Sequence, residues 1–156
     1  IIILIIFLIF NFPKAKVFLG DGGSYFLGSF LAISVIITSI ENPNISPFYF
    51  CIILFYLFFE VFFSFFRKLV KERKSPIQPD KKHLHMLLYK LLLKKNNNKL
   101  KSNYQVSVII NLIYLLLIVP AVFMMNDGIF CKYYSILFFV FYFFSYKITY
   151  KKNKKL

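Results

Sequence analysis

Acidic residues are scarce in this chain: 156 residues hold six Asp and Glu against twenty Lys and Arg, a net charge of +14. Cysteine and histidine are scarcer, with two of each. Cys51 and Cys131 fall near the outer ends of apolar runs, where they are expected as small buried hydrophobes, a single disulfide between them staying open. His83 and His85 are two apart, so on a helix they share no face and a chelating pair is not expected. No nucleic-acid-binding module accompanies the positive charge, which points first to a membrane surface and anionic ligands. No midplane charge pair or inverted repeat supports a transporter. The first apolar run lacks a basic n-region and a small-residue cleavage site, which argues against a signal peptide. The chain opens on Ile inside that run, and the expectation is a C-terminal fragment of a longer protein.

What the chain has in abundance is hydrophobicity. Hydrophobic residues make up 59%, with 22 Phe and 11 Tyr, too many for the surface of a soluble domain of this size. The fold class expected is all-α, a polytopic membrane helix bundle of about five transmembrane spans with a cytoplasmic amphipathic helix. Runs long enough to cross a hydrocarbon core lie near 47–68, 104–125 and 129–148, with a truncated span at 1–12 and a short one near 25–40. Gly22, Gly23 and Gly28 would let the short one pack closely or bend. Turn chemistry at Glu41-Asn-Pro-Asn44 and Asn126-Asp-Gly128 reverses the chain within a few residues. The whole, 1–156, reads as a single membrane domain with cytoplasmic loops at 13–24 and 69–103.

Lysine and arginine set the orientation, because loops on the cytoplasmic side retain them. Nineteen of the twenty fall before the second span, between the third and fourth, or after the last; Lys132 is the exception. With an odd number of spans, the C-terminus and both polar islands are cytoplasmic. In the long loop, Pro76 and Pro79 hold Ser75 to Lys82 extended. From His83 a helical pattern places Leu84, Leu87, Leu88, Leu91 and Leu92 on one face, as for a helix lying on a membrane surface. Asp80 stands where it would cap that helix, and Asn96-Asn-Asn98 ends it.

Two islands carry the chemistry. Lys16-Val-Phe-Leu-Gly-Asp-Gly-Gly-Ser24 sets Asp21 between glycines at the mouth of an apolar segment, where an ionised acid is costly unless it meets water or a cation. It is a functional candidate, the plain alternative being a turn residue in an interfacial loop. Ser75-Pro-Ile-Gln-Pro-Asp-Lys-Lys-His-Leu-His85 holds both histidines. Glu60, inside the third span, is a further costly acid whose plain reading is an ion pair with a nearby Arg or Lys.

Asn11-Phe-Pro-Lys-Ala-Lys-Val-Phe-Leu-Gly-Asp-Gly-Gly-Ser24, followed by Leu27-Gly28, resembles the GDxGS segment of the polyprenyl-phosphate N-acetylhexosamine-1-phosphate transferases, glycosyl transferase family 4. Arg67, then Lys71-Glu-Arg-Lys-Ser-Pro-Ile-Gln-Pro-Asp80, then His83-Leu-His85 is similar to that family's basic segment running through SPF-PD to HxHH. The resemblance covers nearly the whole chain but only the C-terminal half of the family's usual length. Met86 replaces the last His of HxHH, Glu60 stands where many relatives have Asp, and the paired-aspartate motif of the N-terminal half has no counterpart.

The resemblance implies a sugar-1-phosphate transferred from a UDP-sugar, GlcNAc being favoured, to undecaprenyl phosphate at the cytoplasmic face of a bacterial inner membrane. UMP is released, and the product feeds cell-envelope polysaccharide synthesis. It implies Asp21 as a ligand of Mg2+, with Mn2+ as a substitute, and His83 and His85 as catalytic groups at the phosphates. Asn11, Gly20, Ser24, Arg67, Arg73, Lys74 and Asp80 are implied to bind substrate, and a homodimer is compatible. The lipid bilayer is the further partner; no nucleic acid is expected. The fragment alone is expected to be inactive. The competing reading is a non-catalytic membrane subunit that binds anionic lipid or a partner protein through its basic loop.

Overall fold

The computed structural model describes residues 2–14, 16–73, 75, 78 and 80–155, excepting the side chains of Lys71 and Lys155. It is helical throughout these residues: α1 (Ile2–Asn11), α2 (Gly20–Glu41), α3 (Pro47–Ile53), α4 (Phe55–Phe66), a π-helical stretch (Arg67–Glu72), α5 (Leu84–Asn96), α6 (Lys99–Phe123) and α7 (Gly128–Lys155). They form two units, residues 1–44 and 45–156.

In the first unit, the ten residues of α1 rise about 15 Å, a short apolar helix within the run expected as a truncated span. By contrast, α2 is longer than the apolar run suggests. Gly20-Asp21-Gly22-Gly23, expected as a loop, forms its first turn, and its 22 residues reach about 33 Å, enough to cross. Gly20 makes the entry possible with a φ of +72°, a left-handed value that favours glycine. The Leu19 side chain folds over Gly23, where an added Cβ would lie 2.7 Å from its Cγ. At Gly22 and Gly28 an added Cβ meets nothing within 4 Å among the described residues. The hydroxyls of Ser34 and Thr38 turn back onto the carbonyls of Phe30 and Ser34, which satisfies them inside an apolar helix.

In the second unit the helix starts are set by polar caps. Ser46 accepts from the Phe48 amide ahead of Pro47, Asn98 accepts from Lys101, and Asp127 accepts from Ile129 and Phe130. The run expected as one span at 47–68 is broken: α3 and α4 meet at Leu54 with a bend of 76°. A bend interrupts the regular helical hydrogen bonding, and in hydrocarbon an unmet carbonyl is expensive. Tyr114 of α6 resolves this, its hydroxyl donating to Ile52 at 2.9 Å and also to Ile53.

An aromatic seam then joins α4 to α7 in register: Phe55 meets Phe138, Phe59 meets Tyr142 and Phe63 meets Tyr146, with centroids 4.6–5.2 Å apart. At the other end the Ser46 amide bonds the Met125 carbonyl in the α6–α7 turn. The bent pair therefore runs alongside α7 in the same direction, as a broken span does and a re-entrant loop does not. With α2, α6 and α7 this makes four candidate crossings among the described residues, beside the short apolar helix α1 that answers to the truncated first span. Leu87 of α5 is buried while Lys90, Lys94 and Lys95 are exposed, and the helix packs on the ends of α6 and α7 instead of lying free on a surface. Cys131 is fully buried, but Cys51 is exposed, and both thiols are free.

Two outcomes check this fold. Single cysteines in a Cys51→Ser background should react with an impermeant thiol reagent from one side at Asn44→Cys and Lys132→Cys, and from the other at Arg73→Cys and Lys152→Cys. Asn44 and Arg73 on a common side would refute the broken span. Tyr114→Phe should lower stability by about 1–3 kcal/mol, measured by thermal unfolding in detergent, because two carbonyls lose their donor.

Candidate functional site

Asp21 occupies the first turn of α2 and is exposed, where the positive end of the helix dipole favours its charge. Its backbone carbonyl accepts the Ser24 hydroxyl at 2.9 Å. Asn11 closes α1, with its Oδ1 buried and unpartnered among the described residues. A single exposed carboxylate suits a magnesium ion, which takes one or two protein carboxylates and completes its shell with waters and substrate oxygens. Among the described residues no group of three or more His, Cys, Asp and Glu has metal-holding geometry.

The second unit gathers the other candidates. His83 is not helical: it sits at the N-cap of α5 with φ −64° and ψ 151°. The rule that positions two apart diverge on a helix therefore fails, and the rings of His83 and His85 stack with centroids 5.5 Å apart and planes 16° apart. Their Nδ1 atoms lie 3.2 and 3.9 Å from one oxygen, Oε1 of Glu60. Glu60 is 7% exposed; Oε1 also accepts the Leu84 amide at 2.7 Å, and Oε2 accepts the Tyr142 hydroxyl at 2.7 Å. The partners of Glu60 are thus histidines, a tyrosine and an amide, not the Arg or Lys expected. Glu60 also does the capping assigned to Asp80, which lies elsewhere. Burial pushes the His85 ring toward its neutral form, with the Glu60 charge opposing.

Asp80 belongs to a clamp on Arg67. The guanidinium bonds Asp80 Oδ2 through one nitrogen and Glu72 Oε1 through the other, and the Arg67 and Asp80 side chains are each 6% exposed. Ser64 donates to Asp80 at 2.8 Å, the Lys82 amide donates to Asp80 at 2.9 Å, and the Lys82 ammonium reaches Glu72 at 2.8 Å. Lys68 donates to the Gln78 carbonyl. The Lys82 bond, with Arg67 beside it, holds the Glu72 carboxyl below the usual range. Burial pushes Asp80 up, but the Ser64, Lys82 and Arg67 contacts outweigh it and leave the carboxyl depressed. Arg73 is exposed in a left-handed conformation with φ 50° just past the π-helical stretch, and Lys74 lies outside the described residues. Sequence reasoning weighed Glu60 as an ion pair only and missed Tyr142; a tyrosine facing an acid across 82 residues leaves no local signal.

Beside the histidines an apolar cleft of about 300 Å³ opens between α4, α5, α6 and α7, lined by Leu84, Leu88, Ile109, Ile113, Phe138 and Tyr142 among others.

Comparison with known proteins bears on the first unit most directly. Residues 1–39, which hold α1 and most of α2 with Asp21, match the sequence profile of glycosyl transferase family 4. Over this stretch the chain is similar to glycosyl transferase family 4. It is 40% identical over 79 residues to the undecaprenyl-phosphate alpha-N-acetylglucosaminyl 1-phosphate transferase of Thermotoga maritima, covering 51% of this chain and 25% of that protein. It is 39% identical over 88 residues to a Bacillus subtilis protein named "Probable undecaprenyl-phosphate N-acetylglucosaminyl 1-phosphate transferase", covering 51% of this chain and 22% of that one. The chain thus spans about a quarter of the length of these family 4 relatives. No solved structure matches it.

The clamp makes the loop sensitive to acid. Glu72 and Asp80 bind protons more weakly folded than unfolded, so their contribution is present above the ordinary carboxylate value near about 4 and lost as pH falls through their depressed values. His85, depressed as well, contributes above its ordinary value near about 6.5 and loses that contribution below it. Hydrogen exchange at the Lys82 amide, corrected for intrinsic rate, should lose protection in these two stages between pH 7 and pH 3. Flat protection over that range would contradict the assignment. Asp80→Asn should weaken the loop at neutral pH by about 3 kcal/mol, since it strips a partner from a buried guanidinium.

Proposed function

We propose that this chain forms part of a membrane enzyme that transfers GlcNAc-1-phosphate from a UDP-sugar to undecaprenyl phosphate at the cytoplasmic face. The observation that carries this reading is the junction at Leu84: a stacked histidine pair at the basic end of the helices adjoins an apolar cleft. That pairing of surfaces suits a molecule with an anionic phosphate head and a hydrocarbon tail, and the family 4 match of the first unit supplies the same reaction class.

In the transfer, an acceptor phosphate oxygen forms a bond to the phosphorus that carries the sugar, and the bond from that phosphorus to the UMP oxygen breaks. Little covalent work falls to the protein, so positioning and charge neutralisation dominate. His83 and His85, with their Nδ1 edges turned toward Glu60, keep Nε2 for a phosphate oxygen, as donor when the ring is protonated. Arg73 is an exposed cation on the same segment, and Lys74 follows it in sequence. Arg67 serves differently: with two carboxylates on its guanidinium, it holds the loop that carries the histidines. The cleft wall receives the polyprenyl tail. Asp21 would hold Mg2+, which when bound offsets pyrophosphate charge. A cytoplasmic basic end accords with the distribution of lysine and arginine, and an inner-membrane placement with the bacterial transferases that the chain is similar to.

The complete reading frame containing this chain, expressed in membranes, should release UMP from UDP-GlcNAc with undecaprenyl phosphate in a magnesium-dependent manner. Asp21→Asn and His83→Ala should each lower that rate at least about a hundredfold, the scale expected for loss of a positioned charge-stabilising or acid–base group. A well-folded protein inactive with several UDP-sugars would overturn the reading and leave a basic membrane subunit in its place.

A further inference from the structure

We propose that Glu60 is a positioning residue for the histidine pair, holding the His83 ring by its Nδ1 edge with His85 stacked on that ring, so that the opposite edges present together toward substrate. The proposal rests on the transferase reading for what the rings then do, but its geometry is independent of it.

The second unit has every reason to exclude an acid at this position. Glu60 lies among the rings of the aromatic seam, flanked by Phe59 and with Tyr142 packed edge-on to Phe59 and Phe63. A carboxylate withdrawn from water there persists only if its oxygens are occupied. Oε1 takes the Leu84 amide, the first orphan donor of α5, because the His83 side chain at the N-cap makes no capping bond. The same oxygen takes His83 Nδ1 at 3.2 Å and stands 3.9 Å from His85 Nδ1. Oε2 is held by Tyr142, which ties the carboxylate to α7 and prevents it from swinging. The titratable groups facing Glu60 are Tyr56 on its own helix, Tyr142 on α7, and the two histidines.

One atom thus sets the start of α5, the orientation of His83 and the direction of the stack. Which ring nitrogen of a histidine carries the proton is decided by the bond made at the other nitrogen. A carboxylate at Nδ1 fixes the proton there and leaves Nε2 on the exposed side. The rings are 25% and 47% exposed for His83 and His85, so those edges can reach a ligand.

The test uses ring nitrogen spectra of the chain in lipid nanodiscs, with kinetics on the complete reading frame. Wild type should show His83 as the Nδ1–H tautomer. Glu60→Leu should shift it toward Nε2–H and lower kcat/KM about tenfold or more, the scale seen when a residue that orients a histidine is lost. Glu60→Gln, which keeps an acceptor for both Leu84 and His83, should restore the tautomer and most of the rate. Should Glu60→Leu fail to fold, Tyr142→Phe gives a weaker shift in the same direction. An unchanged His83 tautomer in Glu60→Leu, or in a folded Tyr142→Phe where Glu60→Leu cannot be read, would overturn the proposal. A Glu60-dependent tautomer in a protein that releases no UMP would uphold the positioning and overturn the transferase reading.

Discussion

A carboxylate placed where water cannot reach must find all its hydrogen-bond donors within the protein, and the second unit is arranged around that demand. Glu60 draws one donor from α7, one from the backbone of α5 and one from a histidine ring. They come from two segments, α7 and the start of α5, so the acid joins both to α4. Phenyl stacking along α4 and α7 supplies area but little direction, since rings can slide by a turn and still meet rings. The hydrogen bonds at Glu60 are what choose one register, because a one-turn slip would leave a buried charge without partners.

The clamp on Arg67 has the same logic with the sign reversed. The π-helical stretch and the segment after it return toward α4, and Asp80 meets Ser64 and Arg67 one turn apart on that helix. Glu72, two residues beyond the Arg67–Val70 turn, closes the other side and recruits Lys82. A buried ion pair of this kind is weak evidence for net stability, because desolvation offsets much of its attraction. Its value is specificity: it fixes the path of the loop and thereby delivers His83 to Glu60.

Crossing helices were legible in the sequence because hydrocarbon thickness imposes a length that unbroken apolar runs reveal. The break at Leu54 was not, since Ile53-Leu54-Phe55 contains neither proline nor glycine. Tyr114, 60 residues away in sequence, donates to the carbonyls at the break, a partner with no local signal. The α5 stripe from Leu84 to Leu92 was legible by period, and Asn97, left-handed at φ 49°, ends that helix as the asparagine run suggested. The histidine stack was hidden by one residue: a helical rule applied to His83 fails when the helix begins at Leu84. Gly-Asp-Gly-Gly looked like a loop because glycine favours loops, but in α2 the glycines fall in the first turn, where Gly20 supplies the left-handed entry.

The six acids can be followed one by one, and their use narrows where a cation could be held. Glu60 serves the histidines, Glu72 and Asp80 serve Arg67 and Lys82, and Asp127 caps α7. Asp21 and Glu41 remain, at opposite ends of α2 and both exposed, and among the described residues no hydrogen bond or ion pair engages either carboxylate. Glu41 sits at the C-terminal end of α2, where the dipole opposes its charge; Asp21 sits where the dipole supports it. Elsewhere the protein is overwhelmingly positive and repels cations. Under the proposed transfer a divalent ion would therefore find one of these six carboxylates suited to receive it, Asp21, with substrate oxygens and water to fill its shell.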